Sequence, residues 1–128
     1  KKVLLPDKTA GCPMADMINA EQLADLKKKH PDAVVVCYVN STAEVKALSD
    51  YCCTSSNAVD VVNSIEEDKE IIFVPDRNLG QVVKERTGRD MILWPGYCPT
   101  HVFATDDDVK RIQKEHPGVP CNGLHRVQ

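Results

Sequence analysis

Two patterns of apolar and polar positions alternate along the chain. Continuous apolar runs at 33–39 and 71–75, and a shorter one at 91–94, are typical of strands buried on both faces of a parallel sheet. Between these runs, apolar residues recur among charged ones at the spacing of an amphipathic helix, most clearly at 20–30. This alternation predicts an α/β chain with right-handed crossovers.

Residues that flank the apolar runs set the predicted boundaries. His-Pro pairs end helices at His30 and His116, Gly88 ends another, and Ser41 with Glu44 forms the pattern of a capping box. The predicted strands are 2–5, 33–39, 51–53, 70–74 and 91–94, and the predicted helices are 20–30, from about 42, from 54–57 to about 65, 79–87 and 105–116. The predicted fold is a Rossmann-like three-layer αβα unit with a mostly parallel sheet.

Two pairs of segments repeat the same design within the chain. The stretch VLLPDKTAG at 3–11 is echoed by IFVPDRNLG at 72–80, and in both a Pro-Asp pair follows an apolar run. The segments 26–36 and 113–123 each contain the end of a helix at a His-Pro pair. Self-similarity of this kind predicts duplicated supersecondary units.

Three parts are expected along the chain. Residues 20–104 are predicted to form one α/β domain. Residues 1–19 are expected to be the edge of a preceding domain with its linker, and residues 105–128 a connecting helix with a truncated or divergent tail.

The composition narrows the classes of partner. Of the 128 residues, 42% are apolar and 27% charged, and the net charge is −3, so we expect no basic face and no nucleic-acid partner. No apolar run is long enough to span a bilayer, and no signal peptide is recognisable, so no membrane partner is expected. Six cysteines without the regular spacing of a disulfide-rich protein indicate a reducing compartment, hence a cytoplasmic protein.

Polar residues follow two of the predicted strands where ligands usually bind. In open parallel sheets, ligands lie beyond the carboxyl ends of the strands. Tyr38 lies near the end of the strand at 33–39, Asn40 follows that strand, and Ser55 follows the short strand at 51–53. Hydroxyl and amide groups at such places suit a carboxylate or a phosphate. The alternative is that Ser41 and Ser55 or Ser56 only cap the helices that follow.

Cys98 lies in a loop bounded by glycine and proline, WPGYCPTH at 94–101. A cysteine that only fills the core needs no such loop, so we interpret Cys98 as a thiolate held for a metal. His101 is a candidate to support that ligand. A tetrahedral zinc site formed by Cys98 and His101 with Cys121 and His125 is an alternative.

Three other cysteines are expected to be structural. Cys37 lies within an apolar run and is interpreted as a small core residue. Cys52 and Cys53 are adjacent in a predicted strand, so their side chains point to opposite faces and cannot grip one metal together. Both are expected to pack in or near the core.

Several segments together resemble quinolinate synthase, the iron–sulfur enzyme of de novo NAD biosynthesis. The segments are YVNSTAEVKALSDYCCTSSNAV at 38–59, VPDRNLG at 74–80 and WPGYCPTHV at 94–102, with LLPDKTAGCPMADM at 4–17 upstream. They occur in the order found in that family. The chain is similar to the middle domain of the three-domain enzyme and its flanking edges, over roughly residues 1–118.

The resemblance implies a fold and a reaction. Members of this family have three similar α/β domains around a pseudo-threefold axis, and each domain gives one cysteine to a central 4Fe-4S cluster. The fourth iron position is open and acts as a Lewis acid. The implied transferase reaction condenses iminoaspartate with dihydroxyacetone phosphate to quinolinate, with loss of phosphate and two waters.

The resemblance also implies roles for four residues. Cys98 matches the cluster ligand of the middle domain. Tyr38 and Asn40 match a Tyr-x-Asn that contacts substrate and are the implied catalytic residues. Ser55 matches a serine that binds a substrate carboxylate or phosphate.

The end of the chain departs from the family. The tail CNGLHRVQ at 121–128 does not match, so Cys121 and His125 inherit no role. The resemblance implies that the other cluster ligands and the first and third domains lie outside this chain. We therefore expect the isolated chain to be inactive. The alternative functions are a non-catalytic anion-binding α/β module and a small zinc-binding domain.

Overall fold

Four parallel strands form the centre of the fold. A computed structural model describes residues Lys2, Leu4, Pro6 and Asp7 and residues 9–119. The strands in this part of the chain are β1 (Val34–Tyr38), β2 (Tyr51–Cys53), β3 (Ile71–Val74) and β4 (Ile92–Leu93). Their order in the sheet is β2-β1-β3-β4, and every neighbouring pair is parallel.

Helices cover both faces of this sheet. Those in the described residues are α1 (Ala20–Lys29), α2 (Ala43–Ala47), α3 (Ala58–Asn63), α4 (Arg77–Thr87), α5 (Pro99–Val102) and α6 (Asp106–Glu115). A 3-10 turn at Ala15–Met17 precedes α1. The predicted α/β fold with a parallel sheet, a Rossmann-like unit, is confirmed.

Alternating side chains of the strands build two separate cores. Val36 and Phe73 pack with residues of α3 and α4 in one cluster. Val35 and Ile72 pack with residues of α1 and α2 in the other. Successive residues of a strand point to opposite faces, so a continuous apolar run supplies both cores at once.

Local capping fixes the ends of the longer helices. The Asn19 side chain accepts a hydrogen bond from the backbone N–H of Gln22 at 2.8 Å and starts α1. Asp76 is buried and accepts from the first N–H groups of α4. Gly88 ends α4 with φ of 68°, a left-handed conformation that glycine adopts without strain.

Two predictions about helix caps are wrong. The residue that caps α2 is Thr42, which accepts from the N–H of Val45, whereas the Ser41 hydroxyl donates to the carbonyl oxygen of Tyr38 at 2.9 Å. Neither Ser55 nor Ser56 caps α3, because the residue before that helix is Asn57. Ser41 and Thr42 are adjacent hydroxyl residues, and the sequence alone does not show which of the two caps α2.

Predictions at the ends of the chain have mixed outcomes. Of the predicted strand at 2–5, the described residues Lys2 and Leu4 are not in a strand, and the other two lie outside the described residues. The domain boundaries remain predictions, although Met14 and Ile18 are both buried, one in each core. No helix within the described ranges is long and apolar enough to cross a membrane.

Candidate functional site

The carboxyl ends of β1 and β2 bring two predicted substrate residues to neighbouring positions. Tyr38 ends β1 and pairs with Cys53, which ends β2. One further hydrogen bond, from Val39 N to the Cys53 carbonyl oxygen at 2.9 Å, connects the two segments just beyond β1 and β2. Asn40 lies two residues after the end of β1, and Ser55 lies two residues after the end of β2. Both therefore project from the same edge of the sheet.

The predicted substrate residues differ in burial. Tyr38 is 8% exposed and packs in the core formed with α3 and α4. Asn40 and Ser55 are exposed, and neither side chain makes a hydrogen bond within the described residues. Their amide and hydroxyl are therefore available to a ligand, whereas Tyr38 anchors the strand end from which Asn40 extends.

The loop that carries Cys98 is fixed by close backbone contact. Gly96 bridges to Asp76, and its carbonyl oxygen accepts from Arg77 N at 2.8 Å. A Cβ at position 96 would lie 2.4 Å from the carbonyl oxygen of Pro75, so only glycine fits here. Cys98 then caps the short helix α5, with Pro99 at its first position.

A second cysteine lies in a similar setting at the same edge. Cys12 and Cys98 are both half-buried and pack against the core cluster that contains Tyr38. Each precedes a proline, and each backbone carbonyl accepts from the N–H three residues on, at 2.9 Å for Cys12 and 3.2 Å for Cys98. The sequence alone predicted no role for Cys12. The repeated Cys-Pro pair was the signal that could have identified it.

A long-range hydrogen bond explains how Cys12 reaches this edge. The indole N–H of Trp94, just beyond β4, donates to the carbonyl oxygen of Met17 at 3.0 Å. Met14, two residues after Cys12, is buried in the core cluster that contains Tyr38. The segment that carries Cys12 therefore docks beside the loop that carries Cys98.

His101 has an unusual environment. Its Nδ1 atom is buried and has no hydrogen-bond partner among the described residues. A buried polar nitrogen without a partner is costly, by about 1–3 kcal/mol, so such groups usually meet a ligand, a water or another part of the protein. The prediction that His101 supports the Cys98 ligand remains untested.

The described residues do not form a complete metal site. No group of three or more His, Cys, Asp or Glu side chains in that part of the chain is arranged to hold a metal ion. Two members of the zinc alternative, Cys121 and His125, lie outside the described residues. Cys98 and Cys12 fit a thiolate-bound metal centre only as part of a larger set of ligands.

Comparison with known proteins identifies the family. Residues 1–121 match the family model described as Quinolinate synthetase A protein. The chain is 56% identical over 117 residues to a quinolinate synthase of Dehalococcoides mccartyi, 54% over 120 residues to one of Clostridium perfringens, and 57% over 117 residues to one of Geobacter metallireducens. These alignments cover 91%, 93% and 91% of this chain but 38%, 40% and 38% of the relatives, so the chain spans about two fifths of their length. The chain belongs to the quinolinate synthetase A family.

Proposed function

We propose that this chain is part of a cytoplasmic quinolinate synthase. The reaction is the condensation of iminoaspartate with dihydroxyacetone phosphate to quinolinate, with release of phosphate and two waters, in NAD biosynthesis. The observation that carries the proposal is the common position of Tyr38, Asn40, Ser55 and Cys98 in a chain of this family: all four lie at the carboxyl edge of one parallel sheet.

Ser55 and Asn40 bind the anionic groups of the substrates. Iminoaspartate carries two carboxylates and dihydroxyacetone phosphate carries a phosphate, so both substrates need hydrogen-bond donors. The exposed Ser55 hydroxyl is such a donor, and Asn57, the residue before α3, makes no side-chain hydrogen bond to the first N–H groups of that helix. The Asn40 amide adds an N–H donor and a carbonyl acceptor in one planar group, which orients a substrate as well as binding it.

Tyr38 donates or accepts a proton during the reaction, and its burial fixes the position of Asn40. The release of two waters requires protons at the departing oxygens, and a phenol can give or take a proton there. Burial of Tyr38 within the core and the hydrogen bond from Ser41 to its carbonyl oxygen fix the end of β1. Asn40 then starts from a rigid point.

Cys98 and Cys12 are the donors that this chain offers to a 4Fe-4S cluster. When bound, such a cluster supplies an open iron position that acts as a Lewis acid on the substrate. Because clusters of this type are held by several cysteine thiolates, two half-buried thiols beside one loop fit part of the set. This proposal revises the expectation that all ligands other than Cys98 lie outside the chain.

A chimeric enzyme tests the proposal. The 117 aligned residues of this chain replace the matching segment of the Dehalococcoides mccartyi enzyme, which is 56% identical there. After anaerobic reconstitution with iron and sulfide, we expect the chimera to make quinolinate. Cys98→Ser and Cys12→Ser should lower both bound iron and activity, whereas Asn40→Ala and Ser55→Ala should keep the iron and lose activity.

Ser56→Ala is the matched control for the serine. Its hydroxyl lies 2.9 Å from that of Thr54, and the proposal assigns it no substrate contact, so this variant should stay active. A Cys98→Ser chimera with unchanged iron content and quinolinate formation would contradict the assignment of Cys98.

The alternative function, an anion-binding module without catalysis, requires a separate measurement. Calorimetric titration of the 128-residue chain with dihydroxyacetone phosphate distinguishes the two. Binding to the chain that Ser55→Ala abolishes, together with an inactive chimera, would favour the module. An active chimera excludes it.

A further inference from the structure

Cys37 and Cys52 lie directly opposite each other on neighbouring strands. β1 and β2 pair in parallel, with Cys37 in register with Cys52. Paired residues of adjacent parallel strands point to the same face, and the strands are about 4.8 Å apart. Disulfides connect Cα atoms that are about 4.4–6.8 Å apart, so this pair is within range.

The two thiols differ in access to solvent. Cys37 is fully buried in the core with α1 and α2, and its thiol donates to the carbonyl oxygen of Tyr38 at 3.4 Å. Cys52 is exposed. Burial raises the pKa of the Cys37 thiol, the hydroxyls of Ser41 and Ser49 oppose that rise, and the nearby Cys52 adds to it. The last effect agrees with the register of the two strands, which places Cys52 beside Cys37.

The neighbouring Cys53 is directed elsewhere. It is buried in the opposite core, with Tyr38, because successive residues of a strand alternate between faces. A bond between Cys52 and Cys53 would need both sulfurs on one side of the strand. Strand geometry therefore selects Cys37 as the partner of Cys52.

We propose that Cys52 is a site of thiol–disulfide exchange with a low-molecular-weight disulfide such as glutathione disulfide, and that Cys37 resolves it to a Cys37–Cys52 disulfide. This inference goes beyond the proposed function and does not depend on it. The exposed thiol meets the oxidant, and the buried thiol completes the exchange.

The exchange balances in two steps. The Cys52 thiolate attacks one sulfur of glutathione disulfide, whose S–S bond breaks, and the first glutathione leaves as a thiolate that takes up the proton lost by Cys52. The Cys37 thiolate then attacks the Cys52 sulfur and expels the second glutathione, which takes up the proton of Cys37. The two cysteines lose two electrons in all, and glutathione disulfide becomes two glutathione thiols.

The position of the bond gives it a consequence for the candidate site. Cys37 directly precedes Tyr38, and Ser55 follows Cys52 by three residues, so the bond would link the two strands just before their substrate residues. A disulfide needs Cβ atoms about 3.5–4.5 Å apart, closer than the strand spacing, so its formation draws the strands together. Such strained bonds are easily reduced, which makes the modification reversible.

Peptide mapping of the 128-residue chain tests the proposal. The protein is equilibrated with glutathione disulfide, free thiols are alkylated, and tryptic peptides are analysed without reduction. Because Lys46 separates the two cysteines, the bond appears as a link between peptides 30–46 and 47–69. We expect this link to dominate in the native chain, to disappear on addition of reduced glutathione, and to lose its dominance when the chain is unfolded in urea.

Three variants assign the sulfur that is involved. Cys52→Ser should abolish the link, and Cys53→Ala should retain it. Cys37→Ala should leave a stable mixed disulfide with glutathione on Cys52. A link that persists in Cys52→Ser, or a native chain in which Cys52 joins Cys53 or remains glutathionylated beside an unmodified Cys37, would overturn the proposal.

Discussion

The two edges of the sheet use their polar groups in different ways, and the amino edge satisfies its own. His30 Nδ1, at the end of α1, lies 2.8 Å from the Glu70 carboxylate, at the start of β3. The Arg89 guanidinium, just before β4, donates to three backbone carbonyl oxygens, those of Ile65 at 2.9 Å, Glu66 at 2.9 Å and Lys69 at 3.1 Å. Polar groups at this edge connect one element to the next.

At the carboxyl edge, several polar groups lack protein partners. Asn40 and Ser55 are exposed and make no hydrogen bond within the described residues, and the buried His101 Nδ1 has no partner there either. Polar side chains that do not serve the fold are the ones available to a ligand. The polar groups of the amino edge therefore stabilise the fold, whereas those of the carboxyl edge are available for binding.

The amino edge also carries a cavity. A cavity of about 520 Å³ opens at the amino edge, lined by 67–70 and 88–92. The guanidinium in its wall already bonds three carbonyls, and Lys84 is paired with Asp90. The charged groups of Arg89 and Asp90 are therefore bonded within the fold, so the volume of the cavity is a poor guide to the site.

The largest expected effect is that of Gly96→Ala at the carboxyl edge. The new Cβ would lie 2.4 Å from a backbone oxygen, that of Pro75, which cannot move without the strand. We expect a loss of about 3 kcal/mol in the free energy of unfolding, measured by urea denaturation. Gly80→Ala is the control, since its Cβ meets only side-chain atoms, those of Leu93 and Phe73.

Gly80→Ala should cost about 1 kcal/mol, because the strain is partly offset by the better helix propensity of alanine. Equal losses for Gly96→Ala and Gly80→Ala would show that the backbone contact does not fix the Cys98 loop.

Arg89→Ala tests the amino edge directly. The substitution removes three charge-assisted hydrogen bonds and leaves their carbonyl acceptors to water, so we expect a loss of about 2 kcal/mol in the free energy of unfolding. Arg111→Ala is the matched control. Its side chain is 59% exposed and, among the described residues, pairs with Asp108 and Glu115 on the same helix, so its removal should cost under about 0.5 kcal/mol.

Similar losses of stability for Arg89→Ala and Arg111→Ala would contradict the structural role assigned to the amino edge. The amino edge would then be no more structural than an exposed helix surface.

The fold was predictable because its signal is periodic. Runs such as 33–39 supply side chains to both cores, so their apolar pattern is continuous. Continuous apolar strands of this kind are typical of parallel sheets, which predicts the parallel pairing. The helix α1 agrees with the prediction to within one residue, since its amphipathic pattern and the His30-Pro31 stop are both local. The four-residue helix α5 was missed, because one turn is too short to show a period.

The site was predictable only in part. The ends of parallel strands meet at one edge, so the positions of Asn40 and Ser55 followed from the strands alone. The place of Cys12 depends on a hydrogen bond between Trp94 and Met17, which are far apart in the sequence. No local pattern encodes such a contact, and the close approach of Gly96 to Pro75 was hidden for the same reason.

Asn40→Ala and Ser55→Ala should have small effects on stability. Neither side chain makes a hydrogen bond to the described protein, so each substitution should change the free energy of unfolding by less than about 0.5 kcal/mol in urea denaturation. Ser41→Ala is the matched control, because its hydroxyl donates to the Tyr38 carbonyl oxygen at 2.9 Å and should contribute about 1 kcal/mol. A loss in Asn40→Ala or Ser55→Ala as large as that in Ser41→Ala would give these residues a structural role and weaken the contrast between the edges.

The smallest expected effect is a pH dependence at the amino edge. A hydrogen bond from the Lys84 ammonium lowers the pKa of Asp90 below its ordinary value of 3.8. Because the pKa is lower in the folded state, the ionised carboxylate stabilises the fold above about pH 3.8, and this contribution is lost as the pH falls through the lower, folded-state pKa. Asp90→Asn should therefore be less stable than the wild type near neutral pH, and the difference should vanish in acid.

Urea midpoints of both proteins, measured from neutral pH down through the titration of carboxylates, check this expectation at low salt, where an exposed pair is least screened. Asp68→Asn is the control, since that exposed carboxylate lines the same cavity but makes no ion pair within the described ranges. A difference between wild type and Asp90→Asn that does not change with pH would mean that the Lys84 pair adds nothing beyond the bond from Met91 N–H to the Asp90 side chain, which an asparagine oxygen also accepts. The Lys84–Asp90 ion pair at the amino-edge cavity would then stabilise the fold less than the three hydrogen bonds of Arg89 lead us to expect.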